Sequence, residues 1–347
     1  MRFLIAGLGS VGRRHLRNLQ ALGERDLILY RTHHSTLPEV ELAGFPVETN
    51  LETALARKPD AVVVANPTAL HLDVAIPAAQ AGCHVLIEKP VSHNRERVEE
   101  LRQAQARTGS RILVGFQFRF HPLLRKLRAV AAEGGIGRPR WAQARYAEYL
   151  PGWHPWEDYR AGYSARADLG GGALLTLCHP FDYLPWILGP LTCEAARVQT
   201  VGDLEIDVDD SVDAWLSGAS DVRASVHLDY YEQPPAQWLT LAGEAGMLHC
   251  DFLTHRLEGW TKGDAGALAE SAPPGWERND MFREEMAHFL RVCRGEEEPA
   301  CGLEEGVKTV DLIEAVKAAS LQWVDLEAAS NTPTGPRPDP AGDRSAQ

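Results

Sequence analysis

The sequence predicts an α/β protein with two domains: a doubly wound parallel sheet over residues 1–118, and an α+β domain with a largely antiparallel open sheet over 119–329. Short β-branched runs alternate with helical patterns in the first third of the chain, which is typical of a parallel sheet. Stretches of alternating polar and apolar residues follow one another after position 190, which is typical of antiparallel strands. The Pro-, Gly- and Ser-rich tail at 330–347 is expected to be disordered.

A glycine-rich turn follows the first predicted strand, residues 2–6, and opens a helical pattern. It reads Gly7-Leu8-Gly9-Ser10-Val11-Gly12. Between a strand and a helix, this spacing is the fingerprint of a dinucleotide-binding Rossmann fold, because the glycines let a pyrophosphate approach the helix N-terminus. The sequence therefore predicts that Gly7, Gly9, Ser10, Val11 and Gly12 bind NAD(P). A glycine-rich turn without a ligand is the alternative.

The second predicted strand, residues 27–30, bears on the choice of nucleotide. An NAD site usually has Asp or Glu at this strand end, where it holds the ribose 2′-hydroxyl. This chain has Arg31 and Thr32 there instead, and these side chains suit a 2′-phosphate. The sequence therefore favours NADP over NAD, although an arginine that simply points to solvent would give the same pattern.

Two further strand ends carry polar residues. The β-branched run at 61–65 ends at Asn66-Pro67-Thr68, with His71 one turn into the next helix. Ligands of open α/β sheets bind at the carboxyl ends of strands, so these four residues are expected to contact the cofactor. Capping of the following helix by Asn66 or Thr68 is the alternative.

The strand at 83–87 ends at Glu88-Lys89-Pro90. A lysine at the mouth of a parallel sheet is well placed to touch a ligand, and Pro90 ends the strand. A surface salt bridge between Glu88 and Lys89 is less favoured, because adjacent strand residues face opposite sides. A helical pattern at 95–107 and a strand at 111–115 complete the alternation.

Charge and cysteine content narrow the class of protein. The formal net charge is −13 and the basic residues form no long cluster, which argues against a nucleic-acid partner. The six cysteines form no C-x-x-C pair, so neither a disulfide framework nor a metal site is indicated, and reduced thiols in the cytoplasm are expected. No stretch is long and apolar enough to span a membrane.

Taken together, the glycine turn, the Asn66-Pro67-Thr68 segment with His71, and Glu88-Lys89-Pro90 resemble the Gfo/Idh/MocA oxidoreductase family. Residues 115–122 resemble the passage of that family into its second domain, and residues 170–179 resemble its glycine-led substrate helix. The resemblance implies hydride transfer between NAD(P) and a secondary alcohol or ketone of a sugar, a sugar derivative or a cyclic polyol.

The resemblance also implies catalytic roles. In the family, the lysine of the Glu-Lys-Pro motif lies beside the nicotinamide and the reacting hydroxyl, which maps onto Lys89 and makes Glu88 a cofactor neighbour. A histidine of the later helix maps onto His179. The family places an aspartate four residues earlier, but this chain has Leu175 there. We expect Asp182 to orient His179 instead, with His179 as general acid/base and Lys89 orienting the substrate oxygen.

An aromatic and basic loop over residues 151–166 is expected to meet the substrate, since aromatic faces stack on sugar rings and arginines hold carboxylates or phosphates. Packing of the loop, or a subunit contact through Trp153, Trp156 and Tyr159, is equally consistent with it. The candidate substrate-binding residues are Lys89, Arg119, His154, Tyr159, Tyr163, Arg166, Thr176 and His179.

Two alternatives to sugar oxidation stay open. One is different chemistry on the same scaffold, such as reduction of aromatic diols or tetrapyrroles, or NAD-dependent glycoside cleavage. The other is a regulatory protein that senses NADP without turning over a substrate. In either case the antiparallel sheet leaves one face available, so a homodimer or homotetramer through that sheet is expected.

Overall fold

The computed structural model describes residues 1–32, 40–155, 157–261 and 267–330. Its first sheet has six parallel strands, as the alternating pattern predicts. They are β1 (Arg2–Ala6), β2 (Asp26–Tyr30), β3 (Val47–Glu48), β4 (Ala61–Val64), β5 (His84–Glu88) and β6 (Ile112–Gly115). Their spatial order is β3-β2-β1-β4-β5-β6. The order reverses between β1 and β4, and this reversal creates the crevice in which open α/β sheets bind ligands.

Four helices connect the strands of this sheet. They are α1 (Ser10–Ala21), α2 (Leu51–Ala56), α3 (His71–Gln80) and α4 (Val98–Thr108). The central strand β4 is buried along its whole length, which explains its continuous β-branched sequence. The predicted Rossmann-type sheet is therefore confirmed.

The second sheet has eight strands in the order β14-β13-β12-β11-β7-β10-β9-β8. They are β7 (Pro139–Ala147), β8 (Leu191–Gln199), β9 (Ser211–Gly218), β10 (Arg223–Asp229), β11 (Ala236–Gly243), β12 (Gly246–Asp251), β13 (Arg256–Trp260) and β14 (Ala267–Ser271). Only the pair of β7 and β10 is parallel among the pairs described, so the predicted largely antiparallel sheet is confirmed. The sequence analysis missed β13 and β14, which have few β-branched residues.

The remaining helices are α5 (Pro122–Ala132), α6 (Ala173–Thr176), α7 (His179–Leu188), α8 (Arg278–Cys293) and α9 (Leu303–Ser330). Although α8 follows the second sheet in sequence, Met286 and Phe289 pack in the same core as Phe3 and Leu16 of the first. The boundary at residue 118 stays a prediction, but the chain returns to the first domain after crossing the second. This return brings α8 beside the crevice.

The segment that resembles a single substrate helix is two helices. α6 ends at Thr176 and α7 begins at His179. Pro180 lies in the first turn of α7, and its missing N–H favours a new helix start rather than continuation. Thr176 and His179 therefore lie on two helices rather than on the one helix that the resemblance implies.

Within the described residues, no helix is both long enough and apolar enough to cross a bilayer. The predicted tail at 330–347 lies, from residue 331 onward, outside the described residues.

Candidate active site

A cavity of about 840 Å³ runs from the glycine turn, past the carboxyl end of β5, to the second domain. Ser10 and Val11 line one part of it, and Lys89, Thr176 and His179 line another. The cavity therefore joins the predicted cofactor-binding turn to the predicted catalytic residues.

The glycine turn has the geometry that a pyrophosphate requires. Gly7 has a positive φ of 90°, and a Cβ there would lie 2.5 Å from the backbone nitrogen of Asn66. A Cβ on Gly12 would overlap the carbonyl oxygen of Gly7, whereas one on Gly9 would meet no atom within 4 Å. No side chain caps α1 at Gly9. Open space in front of an uncapped helix N-terminus fits the phosphates of NAD(P).

The Asn66–His71 region supports the crevice from behind. The His71 ring lies between two carbonyl oxygens, with Nδ1 2.9 Å from that of Pro90 and Nε2 3.0 Å from that of Asn66. Burial lowers the pKa of His71. Asn66, Pro67, Thr68 and His71 are not among the described residues that line the cavity, so their contact with the cofactor stays a prediction. Asn66 Oδ1 is buried and has no partner among the described residues.

The strand end at β2 lies outside the described lining of the cavity. Arg31 is only 7% exposed, and neither Arg31 nor Thr32 lines the cavity. At this end the cavity is lined instead by Arg13, Arg17 and Glu41. Glu41 accepts a 2.7 Å hydrogen bond from Arg17 and lies 3.6 Å from Arg13. Arg13 and Arg17 follow the glycine motif within the first two turns of α1, and this position could have indicated that they line the cavity.

Lys89 enters the cavity from the end of β5, and its Nζ donates a 2.5 Å hydrogen bond to the carbonyl oxygen of Thr176. This contact links the first domain to α6 of the second. Burial opposes the charge of Lys89, but the nearby Tyr163, followed by Cys178 and Glu88, outweighs burial and raises the pKa of Lys89. Lys89 is therefore an ammonium ion at neutral pH.

Glu88 belongs to a buried acidic cluster behind Lys89. Its Oε1 lies 2.7 Å from Nε2 of His15. Burial favours the neutral form, but His15 and then Lys89 outweigh burial and lower the pKa of Glu88. Glu285 of α8 is fully buried, and neither of its oxygens has a partner among the described residues. Burial, and then the nearby Glu88, raise its pKa far above the ordinary value, so Glu285 is a neutral acid.

His179 has a partner that the sequence analysis missed. Its Nε2 lies 3.2 Å from the amide nitrogen of Gln117, in the turn that follows β6. Its Nδ1 has no partner among the described residues. Burial, followed by the charges of Lys89 and Arg278, lowers the pKa of His179 well below its ordinary value. Like Asn66 and Lys89, Gln117 follows a parallel strand end, and this position could have indicated it.

Asp182 does not orient His179. Its carboxylate accepts hydrogen bonds of 2.6 and 3.0 Å from the guanidinium of Arg119. Although burial opposes the charge of Arg119, Asp182 raises its pKa. Neither residue is among the described residues that line the cavity, and the structure joins them in a buried ion pair; the predicted catalytic role of Asp182 and the predicted substrate contact of Arg119 stay predictions. The pair forms because the turn after β6 crosses α7 at this point.

The loop after β7 supplies some of its predicted residues to the cavity and not others. His154 and Tyr163 line the cavity, together with Trp153. Tyr159 instead donates a 2.8 Å hydrogen bond to the carbonyl oxygen of Leu204, and Arg166 pairs with Asp168 at 2.6 Å on the surface. The Tyr159 contact ties the loop to Leu204, which agrees with the packing alternative, whereas the Arg166 pair is local; Trp156 lies outside the described residues. Residues that sequence reasoning did not name complete the wall: Arg14, Tyr146, Glu148, Arg278 and Phe282.

Two family models match consecutive parts of the chain. The model described as an oxidoreductase family with an NAD-binding Rossmann fold matches residues 1–116. The model of the Gfo/Idh/MocA C-terminal domain matches residues 124–249.

Three similar proteins each share less than 30% sequence identity with this chain. An uncharacterised oxidoreductase of Synechocystis sp. is 29% identical over 213 residues, which is 57% of this chain and 57% of that protein. The myo-inositol 2-dehydrogenase of Thermotoga maritima is 28% identical over 325 residues, or 88% of this chain and 92% of the relative. Levoglucosan dehydrogenase, solved with NADH and levoglucosan, matches with a TM-score of 0.81 and 18% identity over 93% of this chain and 97% of that one.

Both family models, the fold they describe and the cleft that joins the glycine turn to Lys89 and His179 agree. The chain belongs to the Gfo/Idh/MocA family of NAD(P)-binding oxidoreductases.

Proposed function

We propose that this enzyme transfers hydride between NAD(P) and a secondary alcohol or ketone of a sugar, a sugar derivative or a cyclic polyol. The observation that carries the proposal is the cavity in which Lys89 and His179 face the space in front of the glycine turn. The names of two similar proteins, a myo-inositol dehydrogenase and a levoglucosan dehydrogenase, support this substrate class.

The nicotinamide of the cofactor supplies the hydride acceptor or donor. The protein must then accept the hydroxyl proton, and we assign this task to His179. Its lowered pKa keeps the imidazole neutral, which is the form that accepts a proton. Nδ1 is buried and has no partner among the described residues, and His179 lines the cavity, so we assign Nδ1 as the nitrogen that a bound substrate hydroxyl would contact.

Gln117 selects which nitrogen is basic. An amide that turns by half a rotation exchanges its oxygen and nitrogen without changing its shape. With the oxygen of Gln117 toward the ring, Nε2 of His179 donates to it and the lone pair lies on Nδ1. The general-base role requires this orientation, so Gln117 takes the place that the absent helix aspartate would fill.

Lys89 orients the substrate oxygen. As an ammonium ion it stabilises the negative charge that develops on the alkoxide, and its hydrogen bond to Thr176 fixes the direction of its side chain. His154 and Tyr163 are our candidates for contacts to the remaining substrate hydroxyls, because both line the same cavity.

For the cofactor, we propose that NADP is preferred over NAD. No acidic residue follows β2, and Arg13 and Arg17 add positive charge to the cavity at the glycine-turn end. The test is Arg31→Glu, assayed as the ratio of kcat/KM for NADP to that for NAD. An unchanged ratio would remove the argument from the β2 end and leave only the α1 arginines as its basis.

For the assembly, we propose a homodimer or homotetramer through the second sheet. Trp141, Trp215, Met247 and Trp260 are each at least 40% exposed. Strand register places Met247 opposite Trp260, and Ala242 opposite both Met247 and Trp141, so these residues share one face. An exposed apolar face of this kind is typical of a protein interface. Light scattering should show an oligomer that Trp141→Asp with Trp260→Asp dissociates; a monomeric wild type would contradict the proposal.

The central experiment is single-turnover hydride transfer with bound NAD(P)+ and a panel of sugars and polyols, followed by the absorbance of the reduced nicotinamide. We expect Lys89→Ala and His179→Ala each to slow the chemical step strongly, while cofactor still binds. Lys126→Ala is the matched control, because Lys126 pairs with Glu270 on the surface outside the cavity. Wild-type hydride transfer in either active-site variant would remove that residue from the mechanism.

A further inference from the structure

Arg278 is a cation on the wall of the cavity that forms no ion pair with the described residues. It is the first residue of α8, and no carboxylate of the described residues lies within ion-pairing distance of its guanidinium. The acids next to it are engaged elsewhere, since Glu277 and Asp280 form a capping box with the backbone of α8. The capping box satisfies the backbone N–H groups of Glu277 and Asp280, so both carboxylates are engaged at the start of α8 and neither is paired with the Arg278 side chain.

The charge of the cavity opposes that of the chain as a whole. The protein has a formal net charge of −13, yet five cationic side chains and three carboxylates are found among the described residues that line the cavity. Glu41 and Glu88 are already bound to Arg17 and His15, respectively. The remaining acid is Glu148, whose pKa burial raises, so its negative charge is weakened.

Arg278 lines the same cavity as Lys89 and His179. Its charge contributes to the lowered pKa of His179 and acts on Tyr146 and Glu148 as well. It also acts on Arg14, whose guanidinium lies 4.4 Å from the ring centroid of Phe282. Two guanidinium groups that face the same space from α1 and α8 repel each other unless an anion lies between them.

We propose that the substrate carries a carboxylate or phosphate group, which Arg278 and Arg14 hold while the reacting carbon lies against Lys89 and His179. This inference rests on the proposed oxidoreductase function and narrows its substrate class to anionic sugars. A guanidinium fork matches both oxyanions. Glu148, which accepts a 3.3 Å hydrogen bond from Gln237, is placed to receive substrate hydroxyls beside the anion.

The test compares matched neutral and anionic probes with the complete enzyme. The pairs are D-glucose with D-glucuronate, D-glucose with D-glucose 6-phosphate, and N-acetylglucosamine with its uridine diphosphate conjugate. Calorimetry on the enzyme–NADPH complex measures binding, and steady-state kinetics measures turnover. We expect at least one anionic member to bind more tightly than its neutral partner. Arg278→Ala should reduce this preference about 10- to 100-fold through KM, the loss typical of one charge-assisted hydrogen bond.

Two further variants, one conservative and one a control, test whether the effect is specific to the side chain of Arg278. Arg278→Lys keeps the charge and should retain part of the preference, which a purely structural role of Arg278 would not explain. Arg283→Ala is the control on the same helix, because Arg283 lies outside the cavity and 3.5 Å from Asp280. It should leave the preference at its wild-type value.

The outcomes separate this inference from the proposed function. If no anionic probe binds better than its neutral partner, or if Arg278→Ala keeps the preference, the anion site is refuted. If Arg278→Ala instead weakens NADPH binding about tenfold in the absence of sugar, the anion belongs to the cofactor and the substrate assignment is wrong. Tight binding of an anionic sugar without any nicotinamide turnover would support the anion site and contradict the oxidoreductase proposal.

Discussion

Replacement of Gln117 by leucine tests how the active site prepares its base. Leucine has a similar volume but no hydrogen-bonding group, so Nε2 of His179 loses its partner while the surrounding packing is retained. Gln117 and His179 are only 3% and 2% exposed, so water does not replace the lost contact. The imidazole is then free to place its proton on either nitrogen, and only one of these tautomers leaves the basic lone pair toward the substrate.

The expected loss follows from the burial. An unsatisfied buried polar group costs about 1–3 kcal/mol. Because Gln117 and His179 are both buried, we take a cost of about 2 kcal/mol for the unpaired Nε2 of His179. If that energy is lost in the transition state, kcat falls about 30-fold. KM for the sugar should change less than kcat, because the hydrogen bond that Gln117 loses is its contact with the imidazole of His179.

The assay is single-turnover hydride transfer with saturating cofactor, and the melting temperature and cofactor affinity serve as controls for folding. Gln117→Glu is the companion variant, because a carboxylate beside the ring favours the imidazolium and raises the pKa of His179. A base must be deprotonated, so activity is lost as pH falls through its pKa, and the acid limb of kcat/KM should move to higher pH in Gln117→Glu. A kcat within twofold of wild type in Gln117→Leu, with the protein folded, would refute the assigned role.

Three further predictions concern the turn, the acidic cluster and the ion pair. Gly9→Ala should weaken NADPH binding, measured by fluorescence, without lowering the melting temperature, because its Cβ meets only the open space in front of α1. Gly12→Ala should weaken NADPH binding and also lower the melting temperature, because its Cβ would overlap the backbone of Gly7. Equal effects of the two variants would contradict the turn geometry. Glu285 keeps its proton when folded but loses it above pH ~4.5 when unfolded, so wild-type stability should fall with rising pH by about 1.4 kcal/mol per unit until the folded pKa is reached. Glu285→Gln should abolish this slope in urea unfolding, and identical slopes would show that Glu285 is ionised. Asp182→Ala should cost about 3–5 kcal/mol of unfolding free energy, because it leaves Arg119 buried without a counter-charge; a loss below about 1 kcal/mol would show that water reaches Arg119.

Much of the fold and part of the site could be predicted from the sequence, for local physical reasons. The glycine turn and Lys89 lie at the ends of apolar strands, and parallel strands bring their carboxyl ends to one edge whatever the rest of the chain does. The roles of Asp182 and Arg119 could not be obtained in this way. Spacing on one helix suggested a partner for His179, but the partner that Asp182 actually contacts lies 63 residues away in sequence.

The packing of α8 against the first domain is a second feature that could not be predicted from local sequence patterns. Its apolar residues indicate a helix that closes a core, without indicating which core. Because the helix packs against α1, it brings Arg278 and Phe282 to the cavity and Glu285 behind Lys89. Packing between distant segments decides which charged groups share a site. The hydrophobic periodicity of α8 does not indicate which segment the helix packs against.

The change from an aspartate to a glutamine as the partner of His179 has a chemical consequence. A carboxylate beside the imidazole would stabilise its protonated form, whereas the neutral amide of Gln117 does not. Burial and the ammonium group of Lys89 both act in the same direction, which leaves His179 as a free base at neutral pH. A free base beside a fixed ammonium ion suits removal of a proton from a hydroxyl whose oxygen is already held. An ordinary histidine has a pKa of about 6.5 and would be partly protonated near pH 6, whereas His179 should be deprotonated there. We therefore expect oxidation of the alcohol to need no elevated pH, and the kcat for oxidation should be flat from about pH 6 to 8.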